Sequence, residues 1–86
     1  MWFVYILKCA DKTFYTGITT DVKRRVKEHN SSFLGAKYTR GRRPVKLVLA
    51  RRKNNKSLAA REECRIKSMT KLEKISYICT YPQGQK

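Results

Sequence analysis

Residues 2–9 run through Trp, Phe, Val, Tyr, Ile, Leu, Lys and Cys with no chain breaker. Aromatic and β-branched side chains in such a run predict a buried strand. Ala10-Asp11-Lys12 has turn chemistry, and residues 13–18 predict a second strand. So short a link predicts an antiparallel hairpin. Gly17, near the end of the second strand, marks a bend or a close backbone approach. A buried hairpin must be covered by the rest of a chain of 86 residues. At that size folding leaves roughly 5,300 Å² of surface from about 14,600 Å², about 64% buried. One small core is expected, with no second domain and no cavity for a dinucleotide.

The remaining chain supplies the cover. Thr19-Thr20-Asp21 offers N-caps, and Val22, Arg25, Val26 and His29 then recur at helical spacing. A helix over about 21–30 is expected, with Lys23, Lys27 and Asn30 pointing away from its inner face. Residues 31–44 read as a long connection containing Gly35, Gly41 and Pro44. In residues 45–51, Val45, Leu47 and Leu49 alternate against Lys46 and Val48, which predicts a third strand. Ser57 is the candidate cap of a helix over about 58–68. Thr70-x-x-Glu73 matches a capping box opening a last helix to about residue 79. The order β-β-α-β-α-α predicts an α+β fold, a small three-stranded, mostly antiparallel sheet flanked by helices. Residues 1–80 are expected to form a single domain and residues 81–86 a flexible tail.

Charge narrows the function. Lys and Arg number 21 against 6 Asp and Glu, a net charge of +15. A field of that size attracts polyanions, nucleic acid first and an anionic membrane surface second. Between His29 and Arg61 there is no acidic residue, while Lys37, Arg40, Arg42, Arg43, Lys46, Arg51, Arg52, Lys53 and Lys56 crowd the same span. A charge run is ordinarily a solvated face, yet like charges at this density repel unless a polyanion binds. The run is therefore assigned to phosphate contacts. Tyr38 either stacks on a base or sugar or anchors its own loop. Membrane binding ranks last, because the helix over 21–30 offers only two valines as an apolar face. No segment is long enough to span a bilayer and none resembles a secretory signal, so a cytoplasmic or nucleoid location is expected. Cys9, Cys64 and Cys79 lack zinc or disulfide spacing and read as reduced thiols.

The single histidine excludes paired-His phosphodiesterase chemistry and His-based metal clusters. A cluster of Tyr, Arg, His and Glu remains. Tyr5 and Tyr15 lie on adjacent strands, and Arg25 and His29 sit one turn apart on the inner face of the next helix. An arginine on an otherwise apolar face is costly without an anion. Taken singly, a strand tyrosine is usually core and a lone histidine usually a satisfied packing group.

Together these residues resemble a GIY-YIG nuclease domain over roughly residues 2–80. Phe3-Val4-Tyr5 matches the first signature element and Tyr15-Thr16-Gly17 the second, with Arg25 and His29 at the family's spacing and a GAKYTRGRRP-like loop at Gly35–Pro44. The chain is most similar to the small, stand-alone bacterial branch. It departs from the pattern at Phe3, where the family has Gly, at Thr16, where it has Ile, and in lacking a match to a late Asn. The resemblance implies a divalent-metal-dependent endonuclease that hydrolyses phosphodiester bonds of DNA, with structure selectivity and a repair or recombination role as the finer expectation; RNA stays open as a substrate. It implies one Mg²⁺ or Mn²⁺ held by Glu63, with Glu62 as the fallback, a Tyr base (Tyr5 or Tyr15), Arg25 on the phosphoryl oxygens and His29 as proton relay. A non-catalytic nucleic-acid-binding module on the same fold, or action through a protein partner that supplies targeting, are the rival readings.

Overall fold

The N-terminal apolar run is the central strand of the sheet. In the computed structural model, which describes residues 1–31 and 37–80 and only the backbone at 37 and 38, β1 spans Trp2–Lys8. It pairs antiparallel with β2, Phe14–Thr19, on one side and with β3, Lys46–Lys53, on the other. The order is β2-β1-β3. A central strand has both faces covered, which is why Val4, Tyr5, Ile6 and Leu7 are all buried without alternation. The hairpin turns at Lys12, whose φ of 69° is left-handed. Asp11 secures that turn by accepting from the backbone and hydroxyl of Thr13.

The helices are α1, Val22–Ser31; a four-residue α2, Lys37–Arg40; α3, Lys56–Lys67; and α4, Lys71–Thr80. The order is α+β and antiparallel as expected, with α2 as an extra turn inside the connection over 31–44. Residues 81–86, expected as a tail, lie outside the described residues. One sheet face carries Val4, Ile6 and Leu49 against Ile66 of α3 and Tyr77 of α4. The other carries Tyr5, Leu7, Cys9 and Val45, with Tyr15, Val26, Leu47 and Ala50 packed against them.

Three local expectations are corrected. Leu47 and Leu49 do not share a face. The β1–β3 register shifts between Ile6 and Leu7, so Ile6 pairs with Leu49 but Leu7 with Leu47. The extra residue, Val48, resets the alternation and joins Leu49 on the α3 face. The cap of α3 is Asn55, not Ser57: its side chain accepts the Leu58 N–H at 2.9 Å from extended backbone. Asn30 does not point away. Its amide donates to the Val45 carbonyl at 3.0 Å and accepts the Val45 N–H at 2.6 Å, tying the end of α1 to the entry of β3. The capping box forms as expected, with Thr70 and Glu73 exchanging backbone-to-side-chain bonds of 2.8 and 3.2 Å. Cys9 is buried, Cys64 and Cys79 are exposed, and all three are free thiols. Among the described residues no helix is long and apolar enough to cross a membrane.

Candidate active site

Tyr5 projects from the central strand onto the face covered by α1. Gly17 lies directly across from it on β2. A β-carbon at Gly17 would sit 2.6 Å from the Tyr5 Oη and 2.8 Å from its Cζ, so the ring occupies the space that a side chain would fill. Gly17 has no positive φ. Its role is therefore room, not backbone freedom.

That placement aims the Tyr5 hydroxyl at α1. Its oxygen lies 2.9 Å from Nε2 of His29, and both side chains are fully buried. Tyr15, half-buried, completes an aromatic group, with its ring 5.1 Å from His29 and 6.3 Å from Tyr5. Arg25, one turn before His29, hydrogen-bonds the Tyr5 hydroxyl and donates to Glu28 at 2.9 Å. Burial pushes the Tyr5 phenol up to about 12, with the Tyr15 charge adding to the rise and Arg25 opposing it. Burial outweighs the one arginine in contact, so the implied Tyr base is held protonated at rest if it is Tyr5. Burial also pushes His29 down to about 4, with Arg25 adding to the fall. The imidazole is neutral near pH 7.

A neutral imidazole carries one N–H. The Tyr5 oxygen can accept from Arg25 and still either donate to Nε2 or accept from it, and the Thr39 hydroxyl suits either arrangement; the tautomer that lets Tyr5 pass its proton to Nε2 is the one with the histidine proton on Nδ1. Nδ1 faces the Thr39 Oγ1 at 2.9 Å. Thr39 is wholly buried and projects from α2. Sequence reasoning passed over Thr39 as part of a basic loop. Its only signal there was an uncharged residue amid cations.

Glu62 and Glu63 separate clearly. Glu62, its side chain 11% exposed, takes the Tyr77 hydroxyl and Arg65 and stands 3.9 Å from both Arg51 and Lys53. Arg65 above all holds its carboxyl below the usual range. This group packs against the α3 face, away from His29. Glu63 pairs with Lys67 at 3.4 Å and is close enough to Tyr5 for its charge to raise the phenol's pKa. Among the described residues no three His, Cys, Asp or Glu side chains gather as a metal cluster.

The basic run does not form one surface. Strand alternation sends Arg51 and Lys53 to Glu62 and Tyr77, and Arg52 to the Tyr5 face. Arg42 pairs with Asp11 at 2.9 Å, and Arg43 donates to the His29 carbonyl. These partners come from outside the run, which is how it tolerates its own charge. Arg40, Lys46, Arg52 and Lys56 remain exposed, Lys56 over the Trp2 ring. The side chains of Lys37 and Tyr38 lie outside the described residues.

The known proteins that resemble this chain fall into one family. The family model described as the GIY-YIG catalytic domain matches residues 1–76. A UPF0213 protein of Desulfotalea psychrophila is 48% identical over 83 residues, covering 96% of this chain and 76% of that one. One from Natronomonas pharaonis is 54% identical over 72 residues, 84% of each chain. The solution NMR structure of the UPF0213 protein of Bacillus halodurans superposes with a TM-score of 0.60 at 44% identity, covering 93% of this chain and 85% of that chain.

Proposed function

The chain belongs to the GIY-YIG family, a nuclease family, and from that premise we propose that it is a metal-dependent endonuclease acting on DNA. The observation that carries the reading is the buried Tyr5–His29 hydrogen bond beside Arg25. A neutral proton acceptor, a hydroxyl and a cation converge under α1 in a chain of net charge +15.

The residues fit a hard divalent cation such as Mg²⁺ or Mn²⁺. Glu63 offers a carboxylate whose competing Lys67 is more than half exposed and easily displaced. Water and phosphate oxygens complete such a shell. When bound, the cation neutralises charge on the phosphate and its leaving oxygen.

The protein's own groups do the rest. Arg25 binds the phosphoryl oxygens and stabilises the charge that grows on them. With its phenol near 12, Tyr5 is not a resting phenolate. It serves as a relay: the attacking water passes a proton to the Tyr5 oxygen as the Tyr5 proton passes to Nε2 of His29. The imidazolium so formed keeps its Nδ1–H on Thr39. The substrate's negative phosphate raises the histidine pKa toward the value this transfer needs. Exposed Arg40, Lys46 and Arg52 hold the strand by its backbone, without sequence preference.

The test is Mg²⁺-dependent nicking of plasmid and branched DNA. Arg25→Ala and Glu63→Ala should each lose at least about a hundredfold in rate. Equal cleavage by all three proteins refutes the assignment. Salt-sensitive binding without a metal-dependent product would instead favour a non-catalytic binding module.

A further inference from the structure

Beside the hydrolytic group lies a part of the same sheet face that α1 leaves open. Phe3 and Tyr5, two residues apart on β1, project to one side. Arg52 and Ala50 are their partners on β3, and the register shift brings Leu47 to the same face. Phe3, Val22, Leu47 and Ala50 are each only half-buried. With Lys23 and Arg52 they line a groove of about 770 Å³. Asp21 also borders it, but its carboxylate is engaged in capping the Arg24 N–H at 3.1 Å. Among the described residues no carboxylate pairs with Lys23 or Arg52.

An apolar floor with an aromatic wall and two unpaired cations at its rim suits a flat apolar group joined to an anion. A nucleobase with its phosphate has that chemistry. The groove is also in the right place. Along β1 the Phe3 side chain stands roughly 7 Å from Tyr5. A strand whose scissile phosphate lies at Arg25 and Tyr5 therefore brings its neighbouring nucleotide to the groove. Phe3 stands where the family motif has glycine, so this aromatic wall is a departure of this chain from that motif.

We propose that the groove takes one unpaired nucleobase of the substrate strand, stacked on Phe3, with the flanking phosphate held by Arg52 and Lys23. The proposal rests on the nuclease reading for its orientation. A base inside an intact duplex cannot enter, so the substrate must carry unpaired nucleotides beside the cut.

The test uses the full chain without divalent metal, so that binding is read apart from cleavage. Single-stranded and duplex oligonucleotides carry 2-aminopurine at one position each, and fluorescence reports stacking. Quenching of the single strand is expected at one position. Phe3→Leu should abolish that quenching and weaken single-strand binding about tenfold while leaving duplex binding unchanged. Arg52→Ala, at an exposed site that does not threaten folding, should reduce the salt slope of single-strand binding by about one. Absence of position-specific quenching, or an equal loss for duplex and single strand, overturns the groove assignment. Adding Mg²⁺ separates the two readings. Quenching without cleavage leaves the groove and removes the nuclease; cleavage of both substrates indifferent to Phe3→Leu leaves the nuclease and removes the groove.

Discussion

Replacing Gly17 with alanine isolates the steric basis of the site. Gly17 has no left-handed φ, so alanine meets no backbone strain there. What it meets is the Tyr5 ring, with the new carbon 2.6 Å from Oη, 2.8 Å from Cζ and 3.1 Å from Cε1. The ring must retreat by about 1 Å to reach ordinary contact, and its bond to His29 is already 2.9 Å long. Overpacking costs about 1–3 kcal/mol. Loss of the buried hydrogen bond adds about 1 kcal/mol, and the lower entropy of the unfolded alanine chain returns about 0.5 kcal/mol. A net loss of about 2–3 kcal/mol is expected. The domain should stay folded, since its total stability is on the order of 4–13 kcal/mol. The assay is urea unfolding followed by circular dichroism, run as a double-mutant cycle with Tyr5→Phe. Removing the hydroxyl removes the closest contact, so the double variant should be more stable than the sum of the singles by about 1 kcal/mol or more. Additive effects, or a Gly17→Ala chain as stable as the parent, would show that Tyr5 is not placed by the space at Gly17.

Other consequences are equally direct. Thr39→Val removes the partner of the His29 Nδ1 and should cost about 1–3 kcal/mol, lowering kcat more than KM in the nicking assay, with Thr39→Ser restoring both; an unchanged kcat counts against the tautomer assignment. Because His29 is depressed to about 4 in the fold from an ordinary 6.5, the unfolded chain binds more protons between those values, so stability falls as pH drops through that window. Between about pH 7.5 and pH 5 the loss should be about 2 kcal/mol by denaturant titration. As His29 is the only histidine, His29→Gln should flatten this dependence. Glu62→Gln disturbs the group around Tyr77 and should lower stability by about 1–2 kcal/mol while leaving cleavage in place. Glu63→Gln breaks only a surface pair with Lys67, worth about 0.5 kcal/mol or less, yet should abolish cleavage. The reverse pattern would move the metal ligand to Glu62.

Much of the architecture follows from short-range pattern. The apolar run at residues 2–9 predicted a buried strand, because no amphipathic period offers it a solvent face, and its central place came from pairing with β2 and β3 on either side. The Thr70–Glu73 box closes on itself within one turn. Arg25 and His29 share a face of α1 by spacing alone, and Tyr5 and Tyr15 reach one site through a tight hairpin. Other features depend on residues distant in sequence and could not be read from local pattern. The β3 register shift exists only in the pairing with β1, and it decides that Leu47 and Ala50 face the site while Leu49 does not. Thr39 gains its meaning from a histidine ten residues away. The division of the basic run depends on Glu62 and Asp11 arriving from elsewhere in the chain. The direction of the Tyr5 shift depends on burial, which outweighs the nearby arginine. Composition and period thus determined which elements form and which residues could meet. The distances and desolvation that settle their protonation were decided only when the sheet and α1 closed around Tyr5.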